Sequence, residues 1–217
     1  MGTSLLRRAA LGGLTLALTI TLTGALAAQQ RQSSTAPPAK LPAGEYATFV
    51  TNKGTFVAEL YPKLAPKAVA NFVELAEGKR PYKDPSTGGL SMAKLYAGLL
   101  FFRTQPGVFL QVGDPTNSGT GSLGYTLPFE KNDLKFDRPG RMALAQSPGD
   151  PTSRGAQIFF TLKALPEYNA DGFLIIGQIV RGLPVAIALS QGPRQAGTRD
   201  RPQFPNTLKS VTILDIQ

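Results

Sequence analysis

The order of hydrophobic and polar positions along the chain predicts a series of short β-strands. Apolar and polar residues alternate in Tyr46–Val50 and again in Thr55–Tyr61, and Asn52-Lys53-Gly54 between them can form a hairpin turn. Further strand-like runs are Phe109–Val112, Arg141–Gln146, Ala156–Leu162, Phe173–Val180 and Ser210–Ile216. The pattern therefore predicts a mostly β domain.

Two segments have apolar residues at helical spacing. The first runs from Pro62 to Gly78, with Pro66 in its first turn and glycine at its end. Its predicted core face carries Val69, Phe72, Val73 and Ala76, and its predicted polar face carries Lys67, Asn71, Glu74 and Glu77. Leu183–Ser190 is the second helix. Because helices and strands do not alternate, a mostly antiparallel barrel closed at its ends is the simplest architecture.

The front of the chain has the pattern of an export signal. Residues 1–27 contain Arg7-Arg8, an apolar run and the small-x-small sequence Ala25-Leu26-Ala27, which is typical of a cleavable signal peptide. An uncleaved membrane anchor is the alternative. Residues 28–44 are polar and proline-rich and predict a linker. Residues 45–217 then form the folded domain, and the mature protein is expected to have no stable membrane insertion.

Composition excludes several kinds of catalytic site. The chain has no cysteine and no histidine, which rules out Ser-His-Asp and Cys-His catalysis and removes the usual zinc ligands. Catalysis would have to use carboxylates, Arg, Lys, Tyr, amides or the backbone. The net charge is +9, but the basic residues are scattered, with small clusters at 79–83 and 194–201. These clusters indicate a solvated loop surface rather than a nucleic-acid site.

The most unusual charge in the sequence is Arg103. It follows Leu99-Leu100-Phe101-Phe102, where a cation is rare unless it is paired or functional. The residues leave two interpretations open: a structural ion pair with Asp114 or another acid, and a catalytic role. The glycine-rich loop 116–125 lacks the Gly-Lys-Ser/Thr ending of a phosphate-binding loop, so it is predicted to be a structural turn.

Four motifs occur in order between about residues 46 and 217. They are Phe101-x-Arg103-x-x-Pro106-Gly107-x-x-x-Gln111-x-Gly113-Asp114, Gly119-Thr120-Gly121, Pro139-Gly140-x-Met142-Ala143-x-Ala145 and Gly155-Ala156-Gln157-x-Phe159. In this order the chain resembles the cyclophilin-type peptidyl-prolyl isomerases. The resemblance implies a closed eight-stranded antiparallel β-barrel capped by two α-helices, with no cofactor and no metal.

The resemblance also implies roles for individual residues. Arg103 matches the catalytic arginine, Gln111 the glutamine beside it, and Phe159 the floor of the proline pocket. The other matched pocket and groove positions are Val108, Phe109, Ala143, Leu144, Gln157, Tyr168 and Phe173. From the residues alone, other interpretations remain: the two glutamines could satisfy strand edges, Phe109 and Phe159 could be core, and Tyr168 could cover a surface.

Several positions depart from the family pattern. Phe102 and Phe173 stand where histidines are usual, Leu144 replaces a groove asparagine, and Tyr168 falls at a position often held by tryptophan. Asn169 would place an amide in an apolar wall. The side of the groove that is polar in most family members is therefore expected to be more apolar in this chain, with fewer side-chain hydrogen bonds to the peptide.

The expected function is a peptidyl-prolyl cis-trans isomerase that acts on X-Pro bonds of exported or periplasmic proteins and assists their folding. Its expected partners are proline-containing polypeptides, and it is expected to be a monomer. The alternative is a catalytically weak proline-peptide-binding or chaperone module on the same fold. A hydrolase that uses Glu130, Asp150 and Asp171 has no support in their spacing.

Overall fold

The computed structural model describes residues 40–146 and 155–217, and Leu41–Gln217 form one compact unit. The predicted signal peptide, most of the predicted linker and residues 147–154 lie outside the described residues. Those predictions therefore stay predictions. In the part of the chain that the structure describes, no helix has the length and apolar character needed to cross a membrane.

The predicted mostly β character is confirmed. The strands are β1 Gly44–Thr51, β2 Gly54–Leu60, β3 Tyr82–Lys83, β4 Leu90–Ser91, β5 Arg103–Gln105, β6 Phe109–Val112, β7 Arg141–Leu144, β8 Ile158–Thr161, β9 Ile175–Arg181 and β10 Leu208–Ile216. The helices are α1 Pro66–Glu77 and α2 Leu183–Leu189, and a short 3₁₀-helix covers Pro166–Asn169. Strands β3 and β4 form a small separate hairpin in the loop that follows α1.

The other eight strands form one antiparallel sheet in the order β10-β1-β2-β9-β7-β8-β6-β5. Strands β10 and β5 are its edges, so the predicted closed barrel is not confirmed. The segment before β5 does meet the start of β10. Leu100 forms a bridge with Thr207, and three backbone hydrogen bonds join the two segments: Phe101 N to Asn206 O at 2.9 Å, Leu208 N to Leu99 O at 2.8 Å and Gly98 N to Leu208 O at 2.8 Å. Strands β5 and β10 do not pair continuously, because β5 is only three residues long and its free edge is occupied by the loop that contains Asp200.

The main core lies between the inner face of the sheet and the two helices. Phe49 and Phe56 stack with ring centroids 4.7 Å apart, and Phe160 packs edge-on against both at 5.2 Å. Helix α1 adds its predicted apolar side chains, of which Phe72 is fully buried. Gly78 ends this helix in the left-handed conformation, as predicted, with φ of 74°.

One predicted polar position of α1 is wrong. Asn71 is 0% exposed and contributes to the core, because two polar groups reach it from across the fold. Its Nδ2 donates to Gly155 O at 3.3 Å, and Tyr125 donates its hydroxyl to Asn71 Oδ1 at 2.8 Å. Helical spacing alone could not reveal partners that lie more than fifty residues away in sequence.

Candidate active site

The hairpin of β5 and β6 places Arg103 on the outer face of the sheet. In its register Arg103 lies opposite Gln111, and Thr104 lies opposite Leu110. Because side chains alternate along a strand, Leu110 points into the main core while Arg103 and Gln111 point the other way. The two faces of β6 therefore differ: Leu110 and Val112 belong to the main core, whereas Phe109 and Gln111 line the pocket beside Arg103.

Three groups hold the Arg103 guanidinium. Its Nε donates to Asp200 Oδ2 at 2.7 Å, and its Nη1 donates to Gln111 Oε1 at 3.2 Å. Its central carbon lies 5.0 Å from the centroid of the Phe109 ring, at cation–π distance. The predicted ion pair is therefore present, and of the two possibilities left open, Asp114 or another acid, the partner is another acid, Asp200. The Arg103 side chain is still 49% exposed, so the ion pair leaves it accessible.

A chain of amide hydrogen bonds fixes the orientation of Gln111. Gln111 Nε2 donates to Gln157 Oε1 at 2.8 Å, and Gln157 Nε2 donates to Gly119 O at 3.2 Å. With its amide nitrogen engaged in this way, Gln111 turns its oxygen toward the arginine. The two glutamines thus connect the glycine-rich loop to Arg103.

An apolar pocket of about 570 Å³ opens beside the guanidinium. Its wall is aromatic: Phe159 lies 5.0 Å from Phe173 and 6.1 Å from Tyr168, measured between ring centroids. Phe136 packs behind Phe159 at 5.9 Å and is itself buried. These rings form a second hydrophobic cluster, separate from the main core.

The 3₁₀-helix Pro166–Asn169 brings Tyr168 to the apolar pocket. Tyr168 lines the apolar pocket, and burial raises the pKa of its hydroxyl while the Arg103 charge opposes that rise. Asn169 does not stand in the apolar wall as expected. Its Oδ1 accepts a hydrogen bond of 2.9 Å from Phe136 N, and Ala170 lines the pocket instead.

A second, more polar pocket of about 640 Å³ adjoins the first. Arg103, Gln111 and Asp200 border it, and the glycine-rich loop forms much of its wall. Asp114 organises that loop by accepting hydrogen bonds from the backbone N–H groups of Thr116, Gly119 and Gly121. Burial opposes ionisation of Asp114, but these donors outweigh it and hold its pKa below the ordinary value.

Three residues assigned to the groove do not line either pocket. Leu144 is 1% exposed and belongs to the main core, because alternation along β7 turns its side chain inward. The expectation that its side chain makes the groove more apolar is therefore corrected. Ala143 lies on the pocket side of β7 but is fully buried, and Val108 packs at the edge of the second cluster. Phe109, Gln111, Gln157, Phe159, Tyr168 and Phe173 do border the pockets.

Asp200 and Ala170 also border the pockets, although neither was among the residues predicted for the site. Asp200 is the single acidic residue of the basic segment 194–201, and this difference in charge was the only feature of the sequence that could have drawn attention to it. Among residues 40–146 and 155–217, no group of three or more His, Cys, Asp or Glu side chains is placed to hold a metal ion.

Comparison with protein families gives one match over most of the chain. The family described as cyclophilin type peptidyl-prolyl cis-trans isomerase/CLD matches residues 46–213. Peptidyl-prolyl cis-trans isomerase B of Streptomyces anulatus is 36% identical over 171 residues, covering 77% of this chain and 95% of that protein. Peptidyl-prolyl cis-trans isomerase A of Mycobacterium tuberculosis is 33% identical over 168 residues, covering 77% and 91%.

Comparison with solved structures gives the same fold. A cyclophilin type peptidyl-prolyl cis-trans isomerase of Cryptosporidium parvum, crystallised in the presence of the dipeptide Ala-Pro, aligns with a TM-score of 0.65 and 27% sequence identity. The alignment covers 79% of this chain and 99% of that one.

Proposed function

The chain belongs to the cyclophilin-type family of peptidyl-prolyl cis-trans isomerases, and we propose that Arg103 and the apolar pocket beside it form its active centre. The observation that carries this proposal is a half-exposed guanidinium at the rim of a pocket walled by aromatic rings. The substrate is a proline-containing polypeptide, whose proline ring would occupy the pocket.

The reaction requires no covalent intermediate. Rotation about a peptide bond meets a barrier of roughly 18–20 kcal/mol because the nitrogen lone pair is delocalised into the carbonyl group. In the twisted transition state the lone pair is localised on nitrogen, so a hydrogen-bond donor aimed at that nitrogen stabilises the transition state more than the ground state. Arg103 is suited to this role, since a guanidinium is always charged and carries several donors.

One charged hydrogen bond does not account for the whole acceleration. It contributes ~1.5–3 kcal/mol. At ~1.4 kcal/mol per factor of ten, this corresponds to about 10–100-fold in rate. The pocket supplies the rest by holding the proline ring while the preceding carbonyl rotates, and by excluding water from the field of the cation.

We assign the remaining residues by their position around Arg103. Phe159 is the floor of the proline pocket, and Phe109, Tyr168 and Phe173 are its walls. Gln111 and Gln157 form the polar rim, where the peptide backbone would pass. The Ala-Pro dipeptide used with the Cryptosporidium protein supports a proline-peptide ligand for the chain.

We further propose that the protein is exported and acts as a monomer on periplasmic or secreted proteins, assisting their folding. The support is the sequence of residues 1–27, with its basic start, apolar run and Ala25-Leu26-Ala27. Expression with this leader in a bacterial host, followed by fractionation and N-terminal sequencing, tests the proposal. A mature N-terminus just after Ala27 in the extracytoplasmic fraction supports it, and uncleaved protein in the cytoplasm contradicts it.

The role of Arg103 is tested by a proline-peptide isomerisation assay on Arg103→Ala. We expect kcat/KM to fall at least about 10–100-fold while circular dichroism shows an unchanged fold. The matched control is Arg138→Ala. It removes another exposed arginine that pairs with an acid, Asp137, at 3.0 Å and lines neither pocket. If Arg103→Ala retained wild-type activity, the arginine would be structural.

The same assay decides between the enzyme and the weak binding module. Phe102 and Phe173, which border the pockets at positions where histidines are usual in the family, are the departures that favour the binding module. A wild-type protein that binds a proline peptide but does not accelerate isomerisation would establish that alternative.

A further inference from the structure

The loop 193–203, here called the Asp200 loop, contacts the hairpin of β5 and β6 that carries Arg103. Asp200 O accepts a hydrogen bond of 2.7 Å from Thr104 N, so the loop occupies the open edge of β5. Arg201 Nη2 donates to Ser118 O at 2.5 Å, which ties the same loop to the glycine-rich loop. Internal bonds such as Gln195 N to Arg201 O at 2.9 Å hold its shape.

These anchors place the Asp200 carboxylate on one particular donor of Arg103. It accepts from Nε, the donor nearest the side-chain stem, while Gln111 accepts from Nη1. Among the described residues, the other terminal nitrogen, Nη2, makes no hydrogen bond. Together with the Phe109 ring, whose centroid lies 5.0 Å from the central carbon, these two hydrogen bonds restrict the direction in which the free end of the guanidinium points.

We propose that Asp200 is a positioning residue for catalysis, which holds Arg103 in the orientation needed to donate to the prolyl nitrogen. This inference rests on the proposed catalytic role of Arg103. An arginine side chain has many rotamers, and fixing one of them before the substrate binds removes that ordering from the activation barrier.

The negative charge of Asp200 also has an unfavourable effect on catalysis, because it weakens the electrostatic field of the Arg103 cation. Exposure decides which effect dominates. The two side chains are 49% and 31% exposed, so solvent screens the charge–charge interaction strongly. The geometric effect of the 2.7 Å hydrogen bond is not screened in this way. Orientation should therefore outweigh the loss of field.

The experiment compares Asp200→Ala with Asp200→Asn in the isomerisation assay. The alanine variant should lower kcat about tenfold with KM nearly unchanged, because the lost alignment matters in the transition state. The asparagine variant keeps a side-chain oxygen for Arg103 Nε and should retain activity within about threefold of wild type. Asp215→Ala, which removes an exposed carboxylate from β10, should have no effect.

A spectroscopic measurement separates positioning from a merely structural role. In wild-type protein the Nε–H resonance of Arg103 should be slowed in its exchange with water, and Asp200→Ala should remove this protection. The thermal unfolding midpoint should change little because the ion pair is exposed. If the alanine variant does not fold, the asparagine variant and the wild-type Nε–H exchange still decide the question.

Several results would overturn the proposal. Wild-type or higher kcat in Asp200→Ala, while Arg103→Ala loses activity, would remove the role of Asp200 and leave that of Arg103 intact. An equal loss in the alanine and asparagine variants would exclude positioning through the hydrogen bond. Wild-type activity in Arg103→Ala would instead remove the proposed active centre itself, which is a distinguishable outcome.

Discussion

Replacing Asp114 with alanine should loosen the glycine-rich loop and destabilise the domain. The carboxylate is 0% exposed and accepts from Thr116 N at 2.7 Å, from Gly121 N at 3.1 Å and from Gly119 N. It also accepts from the hydroxyl of Ser118 at 3.3 Å. Alanine has no side-chain acceptor, so its introduction would remove the partner that each of these donors has in the wild-type protein.

The magnitude follows from the number of donors left unpaired. A buried donor without a partner costs ~1–3 kcal/mol. Three backbone donors are affected, but the loop is partly exposed, so water can reach some of them. We therefore expect a loss of about 2–4 kcal/mol in the free energy of unfolding. For a domain of this size the loss corresponds to a decrease of roughly 5–15 °C in Tm.

Thermal and urea unfolding followed by circular dichroism measure this loss. The matched control is Asp84→Ala. Asp84 makes the same kind of turn, accepting from Ser86 N at 2.8 Å and Ser86 Oγ at 2.6 Å, but in an exposed loop. Its replacement should leave Tm almost unchanged. Equal stability of the two variants would refute the reasoning, because burial of the Asp114 carboxylate would then have no energetic consequence.

Ionisation of Asp114 also makes the free energy of unfolding depend on pH in a predictable direction. The pKa of Asp114 is lowered from its ordinary value of 3.8, so the folded state favours the ionised form. Its contribution to stability is complete above that ordinary value and is lost as the pH falls below it toward the lowered pKa. Asp114→Asn should flatten this part of the stability–pH curve. A curve identical to that of wild type would contradict the assignment.

Two further predictions concern buried and pocket residues. Asn71→Ala leaves the Tyr125 hydroxyl and Gly155 O without their partner, and should lower the free energy of unfolding by about 1–3 kcal/mol in urea titrations; a change below about 0.5 kcal/mol would contradict it. Tyr168→Ala removes one wall of the apolar pocket, and should raise KM for a proline peptide several-fold while Tm falls little, since Tyr168 is only half-buried; an unchanged KM would show that Tyr168 only covers the surface.

The parts of the fold that depend on local pattern were predictable. Alternation identified the long strands β1 and β2, a nearly continuous apolar run identified β9, and helical spacing identified α1 with its proline start and glycine end. The two-residue strands β3 and β4 were missed because a pair of residues carries no periodicity. Whether the sheet closes into a barrel was not predictable from the pattern either, because closure depends on how two edge strands that are distant in sequence meet.

The candidate site was likewise predictable only where it depends on local sequence pattern. Positions within one strand, such as Phe109 and Gln111, follow from alternation once one face is known. Leu144 was misassigned because matching a groove position does not say whether a side chain or a backbone group faces the groove. Asp200 could not be predicted, since it lies 97 residues from Arg103 and only the folded loop brings it there.

The structural and catalytic interpretations of Arg103 do not exclude each other. An ion pair through a terminal nitrogen, with the carboxylate lying across the pocket, would remove the donor from a substrate. Asp200 instead engages Nε, and the guanidinium still borders the apolar pocket with its side chain half exposed. A planar guanidinium carries donors on three nitrogens, so one edge can be held while another remains available. The ion pair with Asp200 is therefore compatible with a catalytic role of Arg103.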